Sequence, residues 1–374
     1  MSGDREARPL LQLGAPSPGG LRLPDAKASA GTLYAPRGVA FLPGGGLAVS
    51  DTGNHRVLVW RTLPSDDHTP ADLVLGQPDF RAETAQANGH GPANGMHLPC
   101  GITVLDGRLF VCDAWNHRVL IWNEVPRSSS VAPDAILGQP DVDSVERNRG
   151  AAISARGLDC PYGLARVDGD LVVADTQNRR VLAWDGVPEG DAPAARVIGQ
   201  DAFDRGEENR GRGVGPDTFR WPHAIVGAGG DLVVADAGNH RLVGWSAGRD
   251  RAGEADLLVG QTDFASAFEM PHVAQGPERL RFPYGLAADD DRLVVADTAN
   301  NRVLVFPRQL PERGARAVSV LGQANFDAAG ENRWDEIAPD SLCWPYGLAL
   351  EGDLLAVADS GNNRVVVWRL PSSS

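Results

Sequence analysis

A chain of 374 residues with 42% hydrophobic and 22% charged side chains can bury a large core and is too apolar for a disordered protein. Its net charge of −14 argues against nucleic acid as the main partner, because holding phosphates takes Lys and Arg. No segment approaches the ~20 apolar residues of a membrane-spanning helix, and the charged start MSGDREARPLLQ lacks a secretory apolar run, so no membrane contact and a cytoplasmic location are expected.

Lys27 is the only lysine, an arginine bias that suggests a high-GC bacterial genome. Cys100, Cys112, Cys160 and Cys343 form no CxxC pair, as expected of free buried thiols in a reducing compartment.

In chain order, Leu10-Leu11-Gln12-Leu13-Gly14 reads as a first short strand. Pro36 to Phe41 reads as strand a of a repeat, Pro43 to Gly46 as a turn, and Leu47 to Ser50 as strand b. The segment Asp51 to Asn54 turns the chain into strand c, Arg56 to Trp60, and Ala71 to Gln77 supplies strand d. The phrase DTGNHRVLVW at Asp51 then returns at Asp113, Asp175, Asp236, Asp297 and Asp359, at intervals of 62, 62, 61, 61 and 62 residues.

Strand d recurs at Gly76-Gln77, Gly138-Gln139, Gly199-Gln200, Gly260-Gln261 and Gly322-Gln323, and Gly14 fits the same rhythm at the other end of the chain. The last repeat ends after strand c, so the N-terminal strand, about residues 8–15, should complete it. The expected fold is all-β: a six-bladed β-propeller of four-stranded antiparallel blades, one domain over residues 1–374, with repeats over about 33–371.

The Asn54-His55-Arg56-Val57-Leu58 core and its five relatives resemble the NHL repeat family. That resemblance implies the propeller fold and leaves function open, because such modules serve binding proteins, sensors and a few enzymes. Stand-alone members are loosely associated with gene clusters of bacterial redox enzymes such as hydrogenases, which implies an accessory-subunit role. The amidating-lyase branch carries zinc-binding histidines in motifs resembling Pro-His-Gly-Leu; here only Pro222-His223-Ala224-Ile225 matches, so its three-histidine site is not rebuilt.

Comparing the repeats separates scaffold from candidate function. Each repeat's Asp has an Arg five residues on, a spacing that predicts a structural ion pair across the turn. Trp60, Trp122, Trp184, Trp245, Phe306 and Trp368 predict packing between blades. By contrast, the x of Pro-x-Gly, or a close variant of it, at the start of strand a is Arg37, Cys100, Tyr162, His223, Tyr284 or Tyr346. Innermost strands converge on the axis, so these six should ring the channel mouth and either bind a ligand or partner loop or simply plug the channel.

The slot after the turn Asn holds His55, His117, Arg179, His240, Asn301 or Asn363; its three histidines lie too far round the ring to share one ion and read as blade-surface residues. A set of Cys100, Cys160 and His223 is a weak metal candidate, and neither a metal nor a cofactor is expected.

Connections of about 18 residues between strand d and the next strand a should emerge on one face with the b–c turns. Trp115 and Trp334 on that face are candidate partner anchors, as are Phe268, Met270 and Met96 if the loops do not bury them. The leading expectation is a non-catalytic interaction module with a protein partner. The alternative is a small-molecule or enzymatic site at the mouth, with Arg37 holding an anion, the tyrosines enclosing it and His223 as acid or base.

Overall fold

The computed structural model describes residues 6–17 and 27–371; the first five residues of the charged N-terminal stretch lie outside them. Six antiparallel sheets of four strands stand in a ring. The innermost strands a are Gly38–Leu42, Pro99–Leu105, Pro161–Val167, Pro222–Ala228, Pro283–Ala288 and Pro345–Glu351. Each packs beside its counterparts in the neighbouring blades, the last beside the first. In blade 1, strand a begins two residues later than Pro36 and strand d shrinks to Leu73–Leu75.

The closing strand is Arg8–Leu13, and it pairs antiparallel with Arg364–Arg369 of the sixth blade. Leu11 and Leu13 are buried there among Val365, Val367, Leu58 and Trp60, so the strand contributes core as well as a covered sheet edge. Strand c supplies the large aromatics as expected. Trp60, Trp122, Trp184, Trp245, Phe306 and Trp368 are all buried, each in a cluster shared by two adjacent blades. Four of the indoles donate to a carbonyl of their own c–d loop, as Trp60 does to Thr69 at 2.9 Å.

The six Asp–Arg pairs are present at 2.7–2.9 Å and buried. Their further bonds explain why the loops are long. Arg118 donates to Asp113, to Val142 in the loop leaving its blade, and to Pro92 and Gly95 in the loop entering it. Each of the three nitrogens of the fork thus donates to a loop carbonyl or the carboxylate.

Amide pairs add a second pin. Asn148 bonds with Asn178, Asn209 with Asn239 and Asn332 with Asn362, where one partner sits in the connection and the other in the b–c turn. The connections therefore fold down over the turns of the loop face. No helix among the described residues is long and apolar enough to cross a membrane.

Candidate functional site

Strand a enters the sheet irregularly, and this irregularity aims x at the axis. In blades 2 to 6 the register shifts just after the strand's proline, so x occupies a bulge, which turns a side chain out of the regular alternation. The glycine after x is needed for close approach. A Cβ on Gly38 would lie 2.0 Å from the Cys100 carbonyl oxygen, and one on Gly101 would lie 2.3 Å from that of Tyr162.

The residue before the proline is also constrained. Ala35, Leu98, Cys160, Phe282 and Trp344 all have φ of 46–50°, a left-handed conformation disfavoured for such side chains. Their amides are held by the slot that the sequence assigns to the blade surface. His55 Nδ1 accepts from Leu98 N–H at 3.0 Å, His117 from Cys160 at 3.1 Å and His240 from Phe282 at 3.3 Å. Asn301 and Asn363 do the same with Oδ1, for Trp344 and Ala35. This corrects the surface reading: the slot is a latch from one blade to the next, and His240 is buried.

Blade 3 breaks the rule. Arg179 carries no acceptor, and its guanidinium turns back to the Gln177 carbonyl. Across the junction, Trp221 alone of the six lacks a positive φ, and Ala224 replaces the glycine. The three exceptions fall together at the junction of blades 3 and 4.

The six x residues do meet at the mouth. Ring centroids lie 4.4 Å apart for Tyr162–His223, 4.2 Å for His223–Tyr284 and 4.9 Å for Tyr284–Tyr346. Arg37 places its guanidinium carbon 4.8 Å from the Tyr346 centroid and interacts with Cys100 on its other side. Trp115 reaches over from the b–c turn to lie near the Tyr162 side chain.

Burial at the axis, and after it the charge of Arg37, sets the protonation of the ring. Burial, then the charge of Arg37, lowers His223 to about 3. Burial raises Tyr284 to about 12 and Cys100 to about 11, the latter against the pull of Arg37. Near neutral pH the ring therefore holds a weakly basic imidazole, a protonated thiol and protonated phenols, with no activated base or nucleophile.

Beneath it lies a chamber of about 80 Å³, bounded by Arg37, Tyr162, Tyr284 and the strand-a glycines. That is small against the roughly 300–1,000 Å³ of ordinary ligand sites. A second axial space of about 370 Å³ lies further along the strands a. Arg166 is the one charged side chain of its lining, and it is paired with Asp106.

Phe268 and Met270 are exposed, whereas Met96 is buried against Gly76. One group of metal-type donors converges among the described residues: His117, Asp159 and Cys160. Sequence reasoning missed it because it crosses a blade junction; the only hint is that Asp159 and Cys160 replace unlike residues in five other copies of their slots.

The sequence profile of the NHL repeat matches residues 33–60 and 280–306, which lie in the first and fifth repeats. No protein of curated function matches the chain by sequence. Among solved structures, a structural genomics protein of unknown function from Bacteroides thetaiotaomicron VPI-5482 is similar at 12% identity and TM-score 0.53, over 97% of this chain and 75% of that one. Streptogramin B lyase matches at 13% identity and TM-score 0.48, over 93% and 96% of the two chains. Virginiamycin B lyase from Staphylococcus aureus matches at 11% and 0.46, over 98% and 99%. At such identities the likeness concerns fold alone, and the activity in those names belongs to those proteins. With its six copies of the repeat on six four-stranded blades, the chain is an NHL-repeat β-propeller.

Proposed function

We propose that the protein is a non-catalytic interaction module that binds a protein partner through its loop face. The observation that carries this reading is the placement of its exposed aromatics. Tyr34, Trp115, Phe268, Trp334 and Trp344 all belong to the b–c turns or the d–a connections, and Trp334 is 83% exposed. Large aromatics are the side chains that anchor interfaces, and they are costly to leave in water. The loops beneath them are pinned by the Arg forks and amide pairs, so the face is preorganised and loses little entropy on binding.

The ring supports the same reading from the other side, since its groups are mutually engaged and none is poised for chemistry. The test is to purify tagged protein from its own cell at modest salt, as wild type and as the Trp115→Ala/Trp334→Ala double variant. A partner that accompanies the wild type and not the variant is expected; a wild type recovered alone, or equal recovery with both, contradicts the proposal.

A further inference from the structure

At the junction of blades 2 and 3, three side chains with different donor atoms face one another. His117 Nδ1 lies 3.1 Å from Asp159 Oδ1 and 3.9 Å from Cys160 Sγ, and all three donors fall within 4.8 Å. Bond lengths of about 2.0–2.3 Å in a tetrahedral zinc site put neighbouring ligand atoms roughly 3.2–3.8 Å apart, which is close to what is observed. We infer that His117, Asp159 and Cys160 form a binding site for a divalent transition-metal ion of zinc type, with its remaining position open to the loop face.

The repeats show that this set is not part of the scaffold. The slots of Asp159 and Cys160 hold Tyr34-Ala35, His97-Leu98, Arg220-Trp221, Arg281-Phe282 and Cys343-Trp344 elsewhere. Only here do both slots supply donors, and here they stand against a latch histidine. A nitrogen, a carboxylate and a sulfur together suit zinc better than the hard cations, which take oxygen ligands.

The hydrogen bonding is also short of a cation. As in the other latches, His117 Nδ1 accepts the Cys160 amide, so it has no proton to offer Asp159. Asp159 is buried, and among the described residues its carboxylate has no Arg or Lys partner. The Cys160 thiol, a weak donor, is what remains for it. If the imidazole instead donates from Nδ1, the Cys160 amide loses its acceptor. An ion neutralises the carboxylate and replaces the thiol proton, which leaves to solvent; it takes the single Nδ1 lone pair in place of the Cys160 amide, so metal binding opens this latch.

The backbone is already fixed for this role. The Asp159 amide donates to Asp175 at 2.7 Å, and its carbonyl accepts from Gln177 at 3.1 Å. Both side chains at the entrance keep some exposure, 17% for His117 and 12% for Asp159, which gives the ion a path in.

Cobalt(II) titration of the chelator-treated full-length protein tests the site, because a thiolate bound to cobalt gives a charge-transfer band. The expected result is one equivalent of Co²⁺ per chain with that band, displaced by Zn²⁺. Cys160→Ser should abolish the band. His117→Asn keeps the latch acceptor that Asn301 and Asn363 provide in their blades, so it should fold and yet bind the metal at least about 100-fold more weakly, since even outer partners of a metal ligand cost 10–100-fold. His55→Asn should bind as the wild type does. No band at stoichiometric cobalt, a band that survives Cys160→Ser, or wild-type affinity in His117→Asn overturns the inference.

Discussion

The guanidinium carbon of Arg37 lies 4.8 Å from the centroid of the Tyr346 ring, and this contact joins the first blade to the last at the axis. It continues a chain of ring contacts running through Tyr284 and His223 to Tyr162, stacked at Tyr284–Tyr346 and tilted at the other two. The ring should therefore behave as a structural plug. Tyr284→Ala is expected to lower stability by about 2–4 kcal/mol, at the lower end of aromatic truncations because Tyr284 keeps some exposure. Tyr284→Phe should stay within about 1 kcal/mol, because the stacking survives. Denaturant midpoints check both.

Acid should weaken the fold through its histidines. Burial, with His97 beside it, lowers His55 to about 4, and burial with Arg37 lowers His223 to about 3. A group whose folded pKa lies below its unfolded value takes up protons more readily when unfolded. Its contribution is therefore whole above the ordinary histidine value near 6.5 and is lost as pH falls toward 3–4. Melting temperature should decline through that window, and less steeply in His55→Asn, which keeps the latch without the titrating ring. An equal decline in that variant would remove His55 from the cause.

Each buried fork is expected to be essential. Arg118→Met leaves Asp113 buried without its partner and frees the carbonyls of Pro92, Gly95 and Val142, at a cost of about 3–5 kcal/mol. Calorimetry of this variant against Arg127→Met, whose side chain is exposed, separates the buried effect from a general loss of charge.

The closing strand can be tested at single residues. Leu13→Ala removes a side chain with no exposure and should cost about 2–5 kcal/mol, whereas Leu10→Ala, an exposed neighbour, should cost little. Urea unfolding of the two variants gives the comparison directly.

Much of this architecture was legible because a repeat displays its own template. The Asp-to-Arg spacing and the Gly14 rhythm lead to the buried pairs and the closing strand, since both depend on distances along the chain that are the same in every blade. The latch was not legible, because His117 meets Cys160 only 43 residues later, in another blade. Its one visible mark is negative: the slot tolerates His and Asn, both acceptors, and where Arg179 intervenes Ala224 replaces the glycine of the next strand a. At the mouth, convergence of Arg37, Cys100 and the aromatics follows from the fold, but their mutual stacking depends on side-chain orientation that spacing does not encode.

Photo-crosslinking in the native cell tests the central claim, that the loop face is the working surface, most directly. One reactive side chain replaces Glu336, exposed beside Trp334, and another replaces Ser65, exposed in a c–d loop of the opposite face. A discrete protein adduct is expected from position 336, lost with Trp334→Ala, and none from position 65. An adduct from position 65 alone, or none from either, would contradict it.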